Sequence, residues 1–246
     1  WGLSWYRDRL TQETRLREAI EASLQEEPTA TPPSAGRREP AHDIHVTTES
    51  VDHLALPDWA EPFVPPAPVK VSGRLSGPSG ILSPEALPEL VTYIQKVVTG
   101  NTPLHTDLLA ERIREDWKVR RTGSKIRAAV DSALALFIRR NPNFSLGGGF
   151  IRDMERPLER ARVGAEDGVV RTITQVPPEE LDFAVRGAVR EAHEIGVDEA
   201  KQYVKALFGW SRLGPDIDSA IDESVARLVA GGRIQREGSD ILKSKD

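Results

Sequence analysis

Apolar residues recur at intervals of three and four in two long stretches of the chain, residues 84–151 and 177–246, with polar residues between them. This spacing predicts amphipathic helices. The two stretches align without a gap at an offset of 91 residues. A repeat that is matched at apolar positions predicts two copies of one small fold, each with its own core. The matched pairs include Ile94 and Val185, Trp117 and Phe208, Ile126 and Ile217, and Phe137 and Leu228.

The first copy, which we call repeat 1 (residues 84–151), is predicted to contain a helix, a short strand, two further helices separated by a turn, and a β-hairpin. Ser83 precedes a proline and is expected to cap the first helix. The second helix is expected to begin at Asp107, and residues 122–124 are expected to cap the third. Three glycines at 147–149 are typical of a hairpin turn. This order is that of a winged helix, a helix-turn-helix core followed by a two-stranded wing.

The second copy, repeat 2 (residues 177–246), has the same predicted order. The connector between the repeats (residues 152–176) has a run of β-branched residues at 169–176, which predicts a strand. The predicted fold class is therefore mainly α with small β wings, in the form of two tandem winged-helix repeats. The helices of repeat 2 are expected to begin at Pro177, Asp198 and Gly214.

Residues 27–83, which precede the repeats, are rich in proline. Eleven of the eighteen prolines of the chain lie in this segment or at its edge. Proline at this density interrupts both helices and sheet ladders. The segment is therefore predicted to be a linker, with an extended strap over residues 44–71 that lies on a folded surface. The apolar residues of the strap include Trp59, Phe63 and Val64.

Composition narrows the function classes. The net charge of −5 and the hydrophobic share of 39% are ordinary for a globular protein. The absence of cysteine excludes disulfides, a thiol nucleophile and thiolate metal sites. No apolar run approaches the roughly 18–20 residues that a membrane-spanning helix needs. We expect a cytoplasmic protein with no membrane partner and no cofactor.

The segment 122–127 (Thr-Gly-Ser-Lys-Ile-Arg) and its counterpart 213–217 resemble a doubled, uncharacterised domain. That domain ends large bacterial proteins in which a superfamily I helicase is followed by a very-short-patch-repair-type nuclease domain. Residues 1–26, in which alternating apolar residues precede a helical stripe, are similar to the final strand and helix of that nuclease domain. The resemblance implies the C-terminal module of a helicase–nuclease, a class often placed in defence against foreign DNA. It also implies that the upstream helicase and nuclease domains of the same parent chain are partners.

Charge differs sharply between the two copies. Residues 117–140 carry a net charge of +6, and the aligned residues 208–231 carry −2. In a helix-turn-helix protein the third helix enters the major groove of DNA and its flanks contact phosphates. We therefore expect repeat 1 to bind duplex DNA; the alternatives are a solvated basic face and a protein-interaction or regulatory module. The candidate DNA-binding residues are Lys118, Arg120, Arg121, Lys125, Arg127, Arg139 and Arg140.

The remaining candidate sites are weak. His42, His45 and His53 could bind a metal ion, but they lie in the proline-rich segment and are expected to be surface residues. Glu199 and Lys201 resemble part of a restriction-type nuclease core, but two helical residues at this spacing do not share a face. The glycines at 147–149 lack the lysine of a phosphate loop. We expect His105 and His193 to be structural or surface residues, and we expect no catalytic activity in this chain.

Overall fold

The computed structural model describes residues 56–121, 123–165 and 168–245. This part of the chain is mainly α-helical, with three small β-sheets. The helices are α1 (Pro78–Ile81), α2 (Ala86–Val98), α3 (Thr106–Asp116), α4 (Ser124–Arg140), α5 (Pro178–Ala192), α6 (Val197–Leu207) and α7 (Pro215–Ala230). The strands are β1 (Ala60–Pro62), β2 (Leu104–His105), β3 (Phe144–Gly147), β4 (Phe150–Asp153), β5 (Ala161–Val163), β6 (Glu194–Gly196), β7 (Ile234–Glu237) and β8 (Ile241–Ser244).

The two repeats have the same order of elements, as the sequence predicted. The first and last residues of α6 lie 91 residues after those of α3, and the same offset separates β8 from β4. Each repeat forms a three-stranded antiparallel sheet in which the last strand lies in the centre, with the order β2-β4-β3 in repeat 1 and β6-β8-β7 in repeat 2. The short strand before the second helix is therefore joined to the hairpin.

Each repeat has its own apolar core, because the helical stripes of its three helices face one another. Trp117 and Phe137 are fully buried in repeat 1, and their counterparts Phe208 and Leu228 are buried in repeat 2. His105 is structural: its Nδ1 atom accepts a hydrogen bond from the backbone N–H of Asp107 at 3.2 Å and so caps α3. The predicted matching of apolar positions is confirmed at these residues.

One expected helix start is corrected and another is confirmed. Helix α2 begins at Ala86, and the hydroxyl of Ser83 is buried without a hydrogen-bond partner instead of capping the helix. The carbonyl of Ser83 accepts from the N–H of Ala86 at 3.0 Å, so the chain makes a backbone turn at the place where a side-chain cap was expected. Helix α4 begins at Ser124 with Gly123 in the cap position, within the predicted capping segment 122–124, and no side chain forms a capping hydrogen bond.

The connector strand expected at 169–176 is wrong. These residues contain a short 3-10 helix (Ile173–Gln175), and Val169 and Val170 are about half exposed, at 49% and 53%. The connector does contain a strand, β5, which pairs in parallel with β1. The β-branched run thus forms no strand. The strand that pairs with β5 lies a hundred residues earlier in the chain.

Residues 57–63 of the strap pack on repeat 2. The indole of Trp59 lies over Gly187 of α5 and donates a hydrogen bond to Glu191 at 3.1 Å. Phe63 is buried under the guanidinium of Arg171, whereas Val64, which was expected to pack, is 70% exposed. The predictions for residues 1–26 and for the histidines at 42, 45 and 53 lie outside the described residues. None of the described helices is both long enough and apolar enough to cross a bilayer.

Candidate nucleic-acid interface

The seven predicted basic residues are all exposed but fall into two groups. Lys118, Arg120 and Arg121 lie in the turn between α3 and α4, and Lys125 and Arg127 lie at the start of α4. We call these five residues the basic turn. Arg139 and Arg140 lie in the last turn of α4, about 20 Å away at the helical rise of 1.5 Å per residue.

The two groups differ in what accounts for their charge. Arg139 and Arg140 stand at the C-terminal end of a helix, where the helix dipole favours cations, so their presence needs no ligand. The basic turn has no such explanation. Within the described residues, none of its five side chains forms an ion pair or a hydrogen bond. The structure thus brings five of the seven candidates together, with their charges uncompensated.

The start of α4 adds to the positive potential of the basic turn. Its first turn contains no acidic residue, whereas the equivalent turn of α7 contains Asp216 and Asp218. Backbone N–H groups at a helix N-terminus favour an anion, and a lysine such as Lys125 there is placed against the dipole. Both features favour a bound phosphate.

Lys118 adopts a backbone conformation that is unusual for a residue with a side chain. It follows α3 with a φ of 54°, in the left-handed region. Its counterpart in repeat 2 is Gly209, with a φ of 74°. Glycine is the usual residue at this place after a helix, because a side chain there costs about 1–2 kcal/mol. Repeat 1 thus has a lysine where the backbone favours glycine.

The acidic residues of repeat 2 are neutralised internally. The ammonium of the buried Lys201 donates to Asp218 and to Asp222, each at 2.8 Å. Burial alone would lower the pKa of Lys201, but these hydrogen bonds and the two negative charges raise it. Lys201 is therefore held as the charged partner of two carboxylates of α7.

In repeat 1 the equivalent of Lys201 is Ala110. Its small side chain leaves a cleft of about 200 Å³ between α3 and α4. Arg127 and Arg114 both line this cleft. Arg114 is an exposed cation that the sequence reasoning missed, since it lies outside the aligned stretch that was compared. Its place in the chain four residues before Lys118, just outside that stretch, is the signal that could have revealed it.

The hairpin of repeat 1 has its only arginine engaged within the protein. The guanidinium of Arg152 on β4 donates to both carboxylate oxygens of Glu179, at 2.5 and 3.1 Å, and to the carbonyl of Gly147 at 2.8 Å. Burial acts to raise the pKa of Glu179, but the bonds from Arg152 outweigh it and lower the pKa. Arg152 is therefore held within the protein, unlike the exposed side chains of the basic turn.

The other candidate sites gain no support. The described residues contain no group of three or more side chains arranged to hold a metal ion. The glycines at 147–149 form the hairpin turn between β3 and β4, where Gly148 and Gly149 have positive φ angles, as predicted.

Comparison with known proteins gives one match. A family model described as a protein of unknown function (DUF3320) matches residues 80–128. The match covers α2, α3 and the whole basic turn, so the chain is similar to this family over the region that carries the candidate interface. No curated protein and no solved structure matches the chain.

Proposed function

We propose that both repeats are winged helices and that the chain is an accessory duplex-DNA-binding module of a larger bacterial helicase–nuclease acting in the cytoplasm. The order of helix, strand, two helices and hairpin, repeated at an offset of 91 residues, supports the first part. The second part rests on the resemblance of residues 122–127 and 213–217 to the doubled domain of such proteins, and on the family match over residues 80–128.

The basic turn is the observation that carries the proposal. It gathers five exposed and unpaired cations at the turn and third helix, which in helix-turn-helix proteins contact the major groove and its flanking phosphates. The same surface of repeat 2 has acidic residues that are paired internally with Lys201. DNA contact is therefore assigned to repeat 1.

Duplex DNA is favoured over a single strand. Proteins that hold single strands stack the bases on exposed aromatic side chains. The large exposed hydrophobic residues of the described part of the chain are all aliphatic. A basic surface that lacks a stacking platform is suited to the phosphates and groove of a duplex.

Repeat 2 favours a second candidate function, protein interaction. A cleft of about 510 Å³ lies beside its turn, at the place where repeat 1 has the basic turn. Val170 and Trp210 line this cleft together with Arg212 and Asp216, so its surface is part apolar and part charged. A regulatory module that contacts another protein through repeat 2 would use this surface.

Charge reversal in the whole chain tests the proposal. Changing Arg120, Arg121 and Lys125 together to glutamate should lower affinity for a fluorescent 20-base-pair duplex by at least about 100-fold, since charge-assisted contacts to phosphate contribute most of such binding. The matched control changes Arg212, Arg233 and Lys245, three exposed cations of repeat 2, to glutamate.

The affinity of the control variant should stay within about threefold of that of the parent chain, because only the general electrostatic attraction to DNA changes. Equal losses in the two variants would show that net charge, not the basic turn, governs binding. No binding by the parent chain at low salt would overturn the DNA proposal and leave protein interaction as the better account. Circular dichroism of each variant checks that it is folded.

A further inference from the structure

The end of the strap, which in the structure we extend to Gly77, is bonded to the C-terminal end of α3. The backbone N–H of Val69 donates to the carboxylate of Asp116 at 2.8 Å. The backbone N–H of Gly77 donates to the carbonyl of Trp117 at 2.6 Å, and the hydroxyl of Ser76 lies 3.5 Å from the same carbonyl. The strap therefore holds the two residues that immediately precede Lys118.

Asp116 is the centre of this contact. Its side chain is only 7% exposed, and it also accepts hydrogen bonds from the hydroxyl of Tyr93 and the guanidinium of Arg112, both at 2.7 Å. Burial of Tyr93, and then its bond to Asp116, raise the pKa of the phenol far above its usual value. A carboxylate at a helix C-terminus opposes the helix dipole, so three donors are needed to hold it there.

Repeat 2 has the same order of elements without this arrangement. The counterpart of Asp116 is Leu207, a fully buried apolar residue. The segment before repeat 2 also reaches this place, because the N–H of Ala165 donates to the carbonyl of Leu207 at 2.8 Å. The left-handed position that corresponds to Lys118 is occupied by Gly209, and glycine adopts this backbone conformation without strain. The buried carboxylate is thus specific to the repeat that has a lysine in the left-handed position.

A residue in a strained backbone conformation persists only where its surroundings determine it strongly. Lys118 is such a residue, and the strap fixes the side chain of Asp116 and the carbonyl of Trp117 directly before it. The rest of the basic turn follows within nine residues. The two residues directly before these cations are thus bonded to a segment that precedes repeat 1 in the chain.

We propose that the strap regulates DNA binding: bonded to Asp116, it holds the basic turn in the geometry that meets the phosphates, and its release lowers affinity. Asp116 acts as the positioning residue. This inference rests on the proposed function. It goes beyond that function by making affinity depend on residues 69–77. Only two of these residues, Lys70 and Arg74, are charged.

The test removes the strap bond by a substitution outside the sequence of repeat 1. Val69→Pro deletes the N–H that donates to Asp116, and Ala67→Pro is the matched control, since it changes no charge and the N–H of the exposed Ala67 makes no hydrogen bond within the described residues. In the full chain, Val69→Pro should speed amide hydrogen exchange at Val119 about tenfold, as expected for losing a hydrogen bond to a charged group. It should also weaken binding of the 20-base-pair duplex by about three- to tenfold at a temperature where the protein is fully folded. Ala67→Pro should change neither quantity by more than about twofold.

A second arm separates positioning from general stability. With Arg120, Arg121 and Lys125 changed to glutamine, Val69→Pro should cause no further loss of affinity, because its effect passes through those side chains. Faster exchange with unchanged affinity would show that the strap only stabilises the fold, and unchanged exchange would overturn the positioning role. Failure of the parent chain to bind the duplex would instead overturn the proposed function, while the exchange measurement would still decide whether the strap holds the turn. If Val69→Pro does not fold, Asp116→Asn, which keeps one acceptor and removes the charge, replaces it in the same measurements.

Discussion

Lys118 and Gly209 occupy the same place in the two repeats, and the comparison separates fold from function at one residue. Both backbones are left-handed, with φ angles of 54° and 74°. Changing Lys118 to glycine should raise the free energy of unfolding by about 1 kcal/mol, because glycine adopts this conformation without a steric cost. It should also weaken duplex binding and reduce the salt slope by about one, since one phosphate contact is lost. Urea unfolding and a salt titration measure the two effects.

The control for this change is Lys118→Arg, which keeps both the charge and the strain and should alter neither quantity. A loss of stability on changing Lys118 to glycine would mean that the lysine side chain has a packing role. A gain of stability with unchanged affinity would remove Lys118 from the interface.

Individual basic residues could be predicted from the sequence only in part. The charge contrast between the aligned stretches identified the basic turn, because exposed cations on a short turn necessarily lie close together. It also included Arg139 and Arg140, which the length of α4 separates from the turn. It could not reveal Asp116, since an acidic residue in a charged helix gives no sign that a distant strap will bury it.

At the scale of elements, the strap is held on repeat 2 by an aromatic ring that fits over a glycine. A Cβ atom on Gly187 would lie 2.4 Å from the ring of Trp59. Gly187→Ala should therefore displace the strap and lower the free energy of unfolding by about 1–3 kcal/mol, the usual cost of overpacking. Gly147→Ala is the control, because nothing lies within 4 Å of its Cβ position and its φ is not left-handed.

The double variant Trp59→Ala with Gly187→Ala identifies the contact responsible. It should be no less stable than Trp59→Ala alone, because the clash disappears with the ring. Additive losses in thermal unfolding would place the cost in helix α5 itself and not in the strap.

The helices and hairpins of both repeats were predictable because their apolar spacing is regular and occurs twice. The connector was not, since β1 and β5 are three residues long and pair across a hundred residues. Strands of this length have no measurable periodicity.

At the scale of the whole molecule, a buried ionic cluster joins the two repeats. Glu180 of α5 is fully buried and accepts hydrogen bonds from Arg162 and Arg171 at 3.2 and 2.8 Å. The same Arg162 donates to the carbonyls of Asn101 and Pro103 in repeat 1, at 3.1 and 2.6 Å. The repeats are therefore coupled through one guanidinium and the carboxylate that neutralises it.

Glu180→Gln should destabilise the protein by about 3–5 kcal/mol, because it leaves buried guanidinium groups without a counter-charge. Calorimetry should also resolve two transitions where the parent shows one, since the repeats lose the contact that couples them. Glu223→Gln, at an exposed position of α7, should leave the single transition unchanged. A single transition that persists in Glu180→Gln would locate the coupling elsewhere, in the strap or in the Arg152–Glu179 bond.

The salt dependence of duplex binding tests the central claim most directly. Five phosphate contacts at the basic turn predict that affinity falls by about three orders of magnitude between roughly 50 and 200 mM salt. Changing Arg120, Arg121 and Lys125 to glutamine should lower the slope by about three, and the same change at Arg212, Arg233 and Lys245 should leave it unaltered. The account is contradicted if both sets lower the slope equally, or if the slope of the parent chain survives the loss of Arg120, Arg121 and Lys125.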